Sequence, residues 1–186
     1  MRRKLMWVLV VGGLGAGAAG YVGKVMATPA SGFTSTSLAV GRLGEFDVMH
    51  KLVWDDPDPT NSKKNVWHST QKTKGDSDLY VQSNVWAPCP LASPVVSCGG
   101  TSGWHTHPGH SLITVTAGTV TAYEGDDPTC TPKVYTVGMT FVDEGGEHVH
   151  VIRNEGAVEA RTITVQVLPA GAARRIDAPA NPACPF

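Results

Sequence analysis

From residue 79 to residue 168 the chain is a succession of short runs rich in β-branched and aromatic residues, each ended by a turn former before a helical period can develop. Strands are predicted at 80–86, 103–107, 111–116, 119–124, 134–137, 139–142, 147–153 and 158–168, with Gly118 and Gly138 marking turns. Short strands at this spacing, with no convincing amphipathic helix, predict an all-β sandwich or barrel with few short helices or none. The 21 glycines and 13 prolines among 186 residues agree with many turns.

The flanks are simpler. Residues 31–39 and 44–54 supply two more candidate strands, and the polar stretch 55–78 reads as a long surface loop. Within it Val66-Trp67 is expected as one buried contact, with Trp54 and Trp67 pinning the loop to the barrel. The tail 169–186 has no apolar core of its own and needs a tether. The predicted organisation is therefore 1–27 as an export signal, 28–77 as N-terminal strands and loop, 78–168 as the barrel, and 169–186 as a tethered tail.

Charge excludes one partner class. Fifteen basic residues face 16 acidic ones, so there is no basic excess for nucleic acid. Four of the basic residues, Arg2, Arg3, Lys4 and Lys24, lie before residue 28, where no acidic residue occurs. Arg2, Arg3 and Lys4 precede an uncharged run, and small residues lead to a cleavage point after Ala27, which is the order of a secretory signal. The alternative is an uncleaved anchor over 5–25, the one route by which this chain reaches a membrane. Either reading places the protein in the cell envelope or outside the cell.

Four cysteines, Cys89, Cys98, Cys130 and Cys184, include no CxxC pair and suit disulfides in an oxidising compartment. Three pairings exist. Cys89–Cys98, closing a short loop, and Cys130–Cys184, holding the tail, are favoured over the other two and over four buried thiols.

The chemistry lies in the histidines. Five of the seven fall in two clusters, His105, His107 and His110, then His148 and His150. Strand side chains two apart share a face, so each His-x-His pair points one way. If both pairs line one interior, three or four imidazoles converge on a cation, and neutral imidazole suits Zn, Cu, Fe, Ni or, with oxygen donors, Mn. Two unrelated surface pairs are the alternative.

The residues 103–111, Gly-Trp-His-Thr-His-Pro-Gly-His-Ser, followed by Gly118, resemble the first cupin motif. Gly138, Gly145-Gly146, His150 and Asn154 resemble the second. The resemblance covers roughly 78–168 and implies a cupin-type β-barrel, a double-stranded β-helix or jelly roll. It implies His105, His107 and His150 as ligands of a divalent metal (Fe, Mn, Zn, Ni or Cu), with His148 as a fourth ligand or a donor behind His150. Ser111 stands where the family has its Glu ligand, so a neutral set of three histidines is expected. His110 is expected at the turn after Pro108-Gly109. Cupins bind small molecules and often form homodimers, and both partners are implied here. The family includes enzymes and binders, and fold alone does not choose. Two readings follow: an exported cupin that binds metal and a small ligand, or a three-His iron-dependent dioxygenase acting on a small organic substrate.

Other residues have plainer readings. Trp104 is expected in the core rather than as a pocket wall, Glu124, Asp126 and Asp127 in a hairpin turn, and Arg153 and Arg161 on outward strand faces rather than on a carboxylate substrate.

Overall fold

The computed structural model describes residues 28–55, 57–58, 60, 64–90 and 98–186. The proposed export signal and most of the loop between Cys89 and Cys98 lie outside these residues. Among the described residues there are twelve strands and no α-helix. No helix there is long and apolar enough to cross a membrane. The first six strands are β1 (Phe33–Leu43), β2 (Asp47–Asp55), β3 (Lys64–Lys72), β4 (Ser77–Trp86), β5 (His105–Thr106) and β6 (Ser111–Ala117). The rest are β7 (Thr119–Glu124), β8 (Lys133–Thr136), β9 (Thr140–Asp143), β10 (His150–Arg153), β11 (Ala160–Pro169) and β12 (Ile176–Asp177).

Two five-stranded antiparallel sheets, in the orders β1-β4-β11-β6-β9 and β12-β5-β10-β7-β8, form the body. From β4 to β12 the chain changes sheet at every step except the hairpin from β7 to β8. This alternation is the winding of a double-stranded β-helix, so the all-β, cupin-type barrel expected from the sequence is the observed fold. Gly118, at φ 65° and with no room for a Cβ against Glu159 and Ala160, makes the tight turn from β6 to β7.

The structure departs from the sequence expectations in three places. The stretch expected as a loop contains β3, which pairs residue for residue with β2 from Asp47↔Lys72 to Asp55↔Lys64. Its Lys, Asn, Ser and Gln side chains disguise a strand, because a backbone ladder needs no apolar face to form. Val66 and Trp67 are consequently 58% and 51% exposed, and Trp54 is also exposed, so none of them is a buried pin. The second departure is β12, a strand in the tail, paired with β5. Third, β10 begins at His150, because the turn around Gly145-Gly146 runs through His148, whose N–H donates to the Gly145 carbonyl.

The barrel interior has two zones. Alternate residues of β11 point inward, and they run Ala160, Thr162, Thr164, Gln166, Leu168. On β4 the inward series includes Trp86, Asn84 and Gln82. One end is apolar, where Trp86, Ile113, Val115, Val120, Ile152 and Ala160 pack together. Beyond it the interior turns polar, and its groups bond to one another. Asn84 donates to Thr162 and Thr164 at 3.1 and 2.9 Å, and the Trp86 indole donates to Thr162 at 3.2 Å. A second apolar cluster of Trp104, Tyr123, Val151 and Phe186 packs against the Cys130–Cys184 disulfide.

Candidate metal centre

The polar zone ends at the histidines. β5 and β10 are neighbours in one sheet, and His150 is the direct cross-strand partner of His105. That register brings the two sequence clusters together. His107, just past β5, reaches the same point, so that one ring nitrogen from each of His105, His107 and His150 lies within 4.8 Å of the others. Ring centroids are 4.7 Å apart for His105 and His107, 4.4 Å for His105 and His150, and 5.6 Å for His107 and His150.

Backbone carbonyls fix two of the rings. His105 Nδ1 donates to the Gly103 carbonyl at 2.8 Å, and His107 Nδ1 donates to the Arg174 carbonyl. A carbonyl only accepts, so in each neutral ring the hydrogen sits on Nδ1 and the Nε2 lone pair is left for the centre. His150 is buried, and among the described residues neither of its ring nitrogens has a hydrogen-bond partner. Burial, with His150, His107 and Arg175 nearby, pushes the His105 pKa down to about 2. Burial also lowers that of His150, against the pull of Asp143. Two buried imidazoles held neutral, with a nitrogen of partly buried His107 turned to the same point, fit a divalent cation.

The sequence missed one group here. Asp143, at the end of β9, is buried between two of the histidines, with Oδ2 3.2 Å from His107 Nε2 and Oδ1 3.3 Å from His150 Nδ1. Ser111 is its cross-strand partner on β6 and donates its hydroxyl to Oδ2 at 3.1 Å. Gly145 donates its N–H to Oδ1 at 3.0 Å. Gly145 has φ 68°, and a Cβ there would lie 2.2 Å from the Gly109 carbonyl oxygen, so this turn needs glycine. The group of three is histidine only, as expected, and a carboxylate stands beside it on the strand adjacent to Ser111. Its signal was the β6–β9 pairing, which a linear motif does not carry.

The histidines border a cavity of ≈ 110 Å³, which reaches inward to Trp86 and Ile113 and is rimmed by Arg174 and Arg175. Arg175 Nη1 donates to the Ser102 carbonyl at 2.6 Å and Nε to Asp177 at 2.6 Å. On the other side, His150 and Asp143 also line a second cavity, of ≈ 250 Å³, with Glu124, Asp126, Lys133 and His148.

The remaining sequence candidates lie elsewhere. His148 is half exposed and 3.0 Å from Glu144, outside the group of three. Preceding β10, it does not follow the strand alternation expected to align it with His150. His110 lies beside Pro108 and Gly109, lining a separate surface hollow. Trp104 is 1% exposed and stacks on Phe186 behind the site. Arg161 is exposed beside Glu159. Arg153 is buried, not outward, with its guanidinium 4.0 Å from the Phe186 ring centroid. Asp127 closes its own turn through Thr129 and Thr131.

No protein-family model and no curated protein matches the chain. Solved structures with a similar shape include an uncharacterized conserved protein with a double-stranded β-helix domain from Klebsiella pneumoniae, at 20% identity and TM-score 0.41, over 55% of this chain and 70% of that one. A cupin-like protein from Thermotoga maritima is 18% identical, with TM-score 0.41, over 55% and 65%. Oxalate oxidase, solved with the substrate analogue glycolate, is 22% identical with TM-score 0.37, over 47% of this chain and 41% of that one. None of these likenesses assigns an activity. By its own strand order, the chain has the fold of a cupin-type double-stranded β-helix.

Proposed function

We propose that this protein is an exported cupin-fold metal centre, in which His105, His107 and His150 hold a divalent ion beside a cavity for a small organic molecule. The observation that carries the reading is the meeting of three imidazole nitrogens within 4.8 Å, from buried His105 and His150 and partly buried His107, with two of the rings oriented by backbone carbonyls. A bound divalent ion supplies Lewis acidity and open positions for an oxygen donor. The chain's own residues do the rest. Trp86 and Ile113 give the cavity an apolar wall, while Arg174 and Arg175 bring positive charge to its rim and favour an acidic molecule. The pairs Cys89–Cys98 and Cys130–Cys184 are consistent with assembly in an oxidising compartment. In this reading residues 1–27 direct export, and His148 stands outside the ligand set.

Metal analysis of the purified protein, followed by calorimetric titration of Zn2+ and Co2+ into the chelated form, tests the reading. His105→Ala, His107→Ala and His150→Ala should each remove most of the bound metal, and His148→Ala should bind like the parent. Parental affinity in His105→Ala and His150→Ala would sink it. Stoichiometric iron with O2 uptake on small thiols or diketones would move the assignment to the dioxygenase reading.

A further inference from the structure

A ring nitrogen and a carboxylate oxygen face each other at the edge of the histidine group. His107 Nδ1 donates to the Arg174 carbonyl, so Nε2 is the nitrogen turned to the centre. Nε2 lies 3.2 Å from Asp143 Oδ2. A contact that short between these two atoms needs a positive centre between them, a proton or a metal ion. Asp143 cannot turn away, because Ser111 and Gly145 hold one oxygen each. The Ser111 hydroxyl is fixed in turn. It spends its single hydrogen on Asp143 and so receives the Gln166 amide N–H, at 2.8 Å. Ser111, Asp143 and Gln166 are all buried.

Donors about 2.0–2.2 Å from a metal and roughly 90–110° apart lie about 3–3.5 Å from each other. The separation of 3.2 Å between His107 Nε2 and Asp143 Oδ2 falls in that range. We infer that Asp143 is the anionic ligand of the centre, the carboxylate having moved from position 111 on β6 to its cross-strand partner on β9. This rests on the metal reading above and deepens it. The Ser111–Gln166 chain then acts as a positioning device, aiming Oδ2 at the ion as the backbone carbonyls aim the histidines. Ser111→Glu then supplies no missing ligand. With Asp143 in place, that substitution puts a second carboxylate against the first.

Asp143→Asn is the test, with the parent, Ser111→Glu and the double variant Ser111→Glu/Asp143→Asn alongside. Asn keeps an acceptor for the Gly145 N–H and offers an amide hydrogen to His107 Nε2, while its NH2 replaces the oxygen that accepts from Ser111. One bond is exchanged for another, so the metal-free Asp143→Asn protein should melt close to the parent temperature. It should nevertheless bind Co2+ at least ~10–100-fold more weakly, with an altered visible Co2+ spectrum. The double variant should recover affinity relative to Asp143→Asn, because its carboxylate at position 111 returns the charge from the facing strand. If the parent binds no Co2+ or Zn2+, the metal reading itself falls. If the parent binds and Asp143→Asn matches it within twofold with the same spectrum, only the Asp143 assignment falls. A metal-free Asp143→Asn protein that melts well below the parent would instead identify a structural His107 imidazolium–Asp143 ion pair, and would overturn the assignment.

Discussion

Replacing Asn154 by Ala tests how the barrel is closed behind the site. Asn154 is 0% exposed, and its amide makes three bonds. Nδ2 donates to the Trp86 carbonyl at 3.1 Å and the Val158 carbonyl at 2.8 Å, and Oδ1 accepts from the Gly156 N–H at 2.9 Å. The side chain thus ties the end of β4 to the turn that leads into β11. Alanine removes all three bonds and leaves their partners short. At about 1 kcal/mol per bond, with some further loss for the vacated volume, the cost is about 3–4 kcal/mol. For a protein of this size each kcal/mol lowers the melting temperature by about 2–4 °C, so a drop of about 10 °C is expected. Thermal unfolding of the oxidised protein in chelator at neutral pH, followed by circular dichroism, measures it. Asn154→Asp provides a check on the cause. It keeps the acceptor for Gly156 but turns an oxygen toward two carbonyl oxygens, and should cost at least as much as Ala. An Ala variant within about 1 kcal/mol of the parent, or an Asp variant milder than Ala, would refute the reasoning.

Three other outcomes are expected. The bridge Cys130–Cys184 spans 54 residues and Cys89–Cys98 spans 9; in the chain-entropy model their removal costs about 4 and about 2.5 kcal/mol respectively. Denaturant melts of the two double-serine variants should rank in that order, and mass spectrometry of the parent should find no free thiol. The second outcome concerns pH. His105 takes up a proton near the ordinary value of 6.5 when unfolded but only at about 2 when folded. The metal-free protein should therefore be fully stabilised above pH 6.5 and lose about 1.4 kcal/mol per pH unit from this residue on acidification below it. Denaturant melts between about pH 8 and about pH 5 should show a shallower slope in His105→Gln than in the parent, and equal slopes would count against a buried neutral imidazole. Finally, N-terminal sequencing of exported protein should start near Thr28; intact Met1 in the membrane fraction would instead establish the anchor.

The fold was legible where side chains alternate. The segment predicted at 119–124 is β7 as observed, and the prediction at 158–168 differs from β11 by two residues at its start and one at its end. His105, His107 and His150 were legible because a His-x-His spacing and a glycine turn are local signals. Two things were not. β3 pairs through its backbone, and its side chains face solvent, so no apolar pattern marks it. Asp143 gains its meaning from a register, Ser111↔Asp143, between strands whose sequences lie 32 positions apart. Along the chain from His107 the motif position holds a serine; the carboxylate stands across the sheet.

The carbonyl that orients His107 belongs to Arg174, and β12 follows at once, paired with the strand that carries His105. Beyond it the Ala178 N–H bonds to the Trp104 carbonyl, Asn181 holds the Glu124 and Asp127 carbonyls, and Cys184 closes its bridge to Cys130. Residues 174–184, made after all three histidines, therefore finish the scaffold behind them. A nascent chain that has not yet reached Arg174 holds His105 and His107 without the strand and carbonyl that aim them, and a product cut short there carries all three histidines without the arrangement that makes them one site.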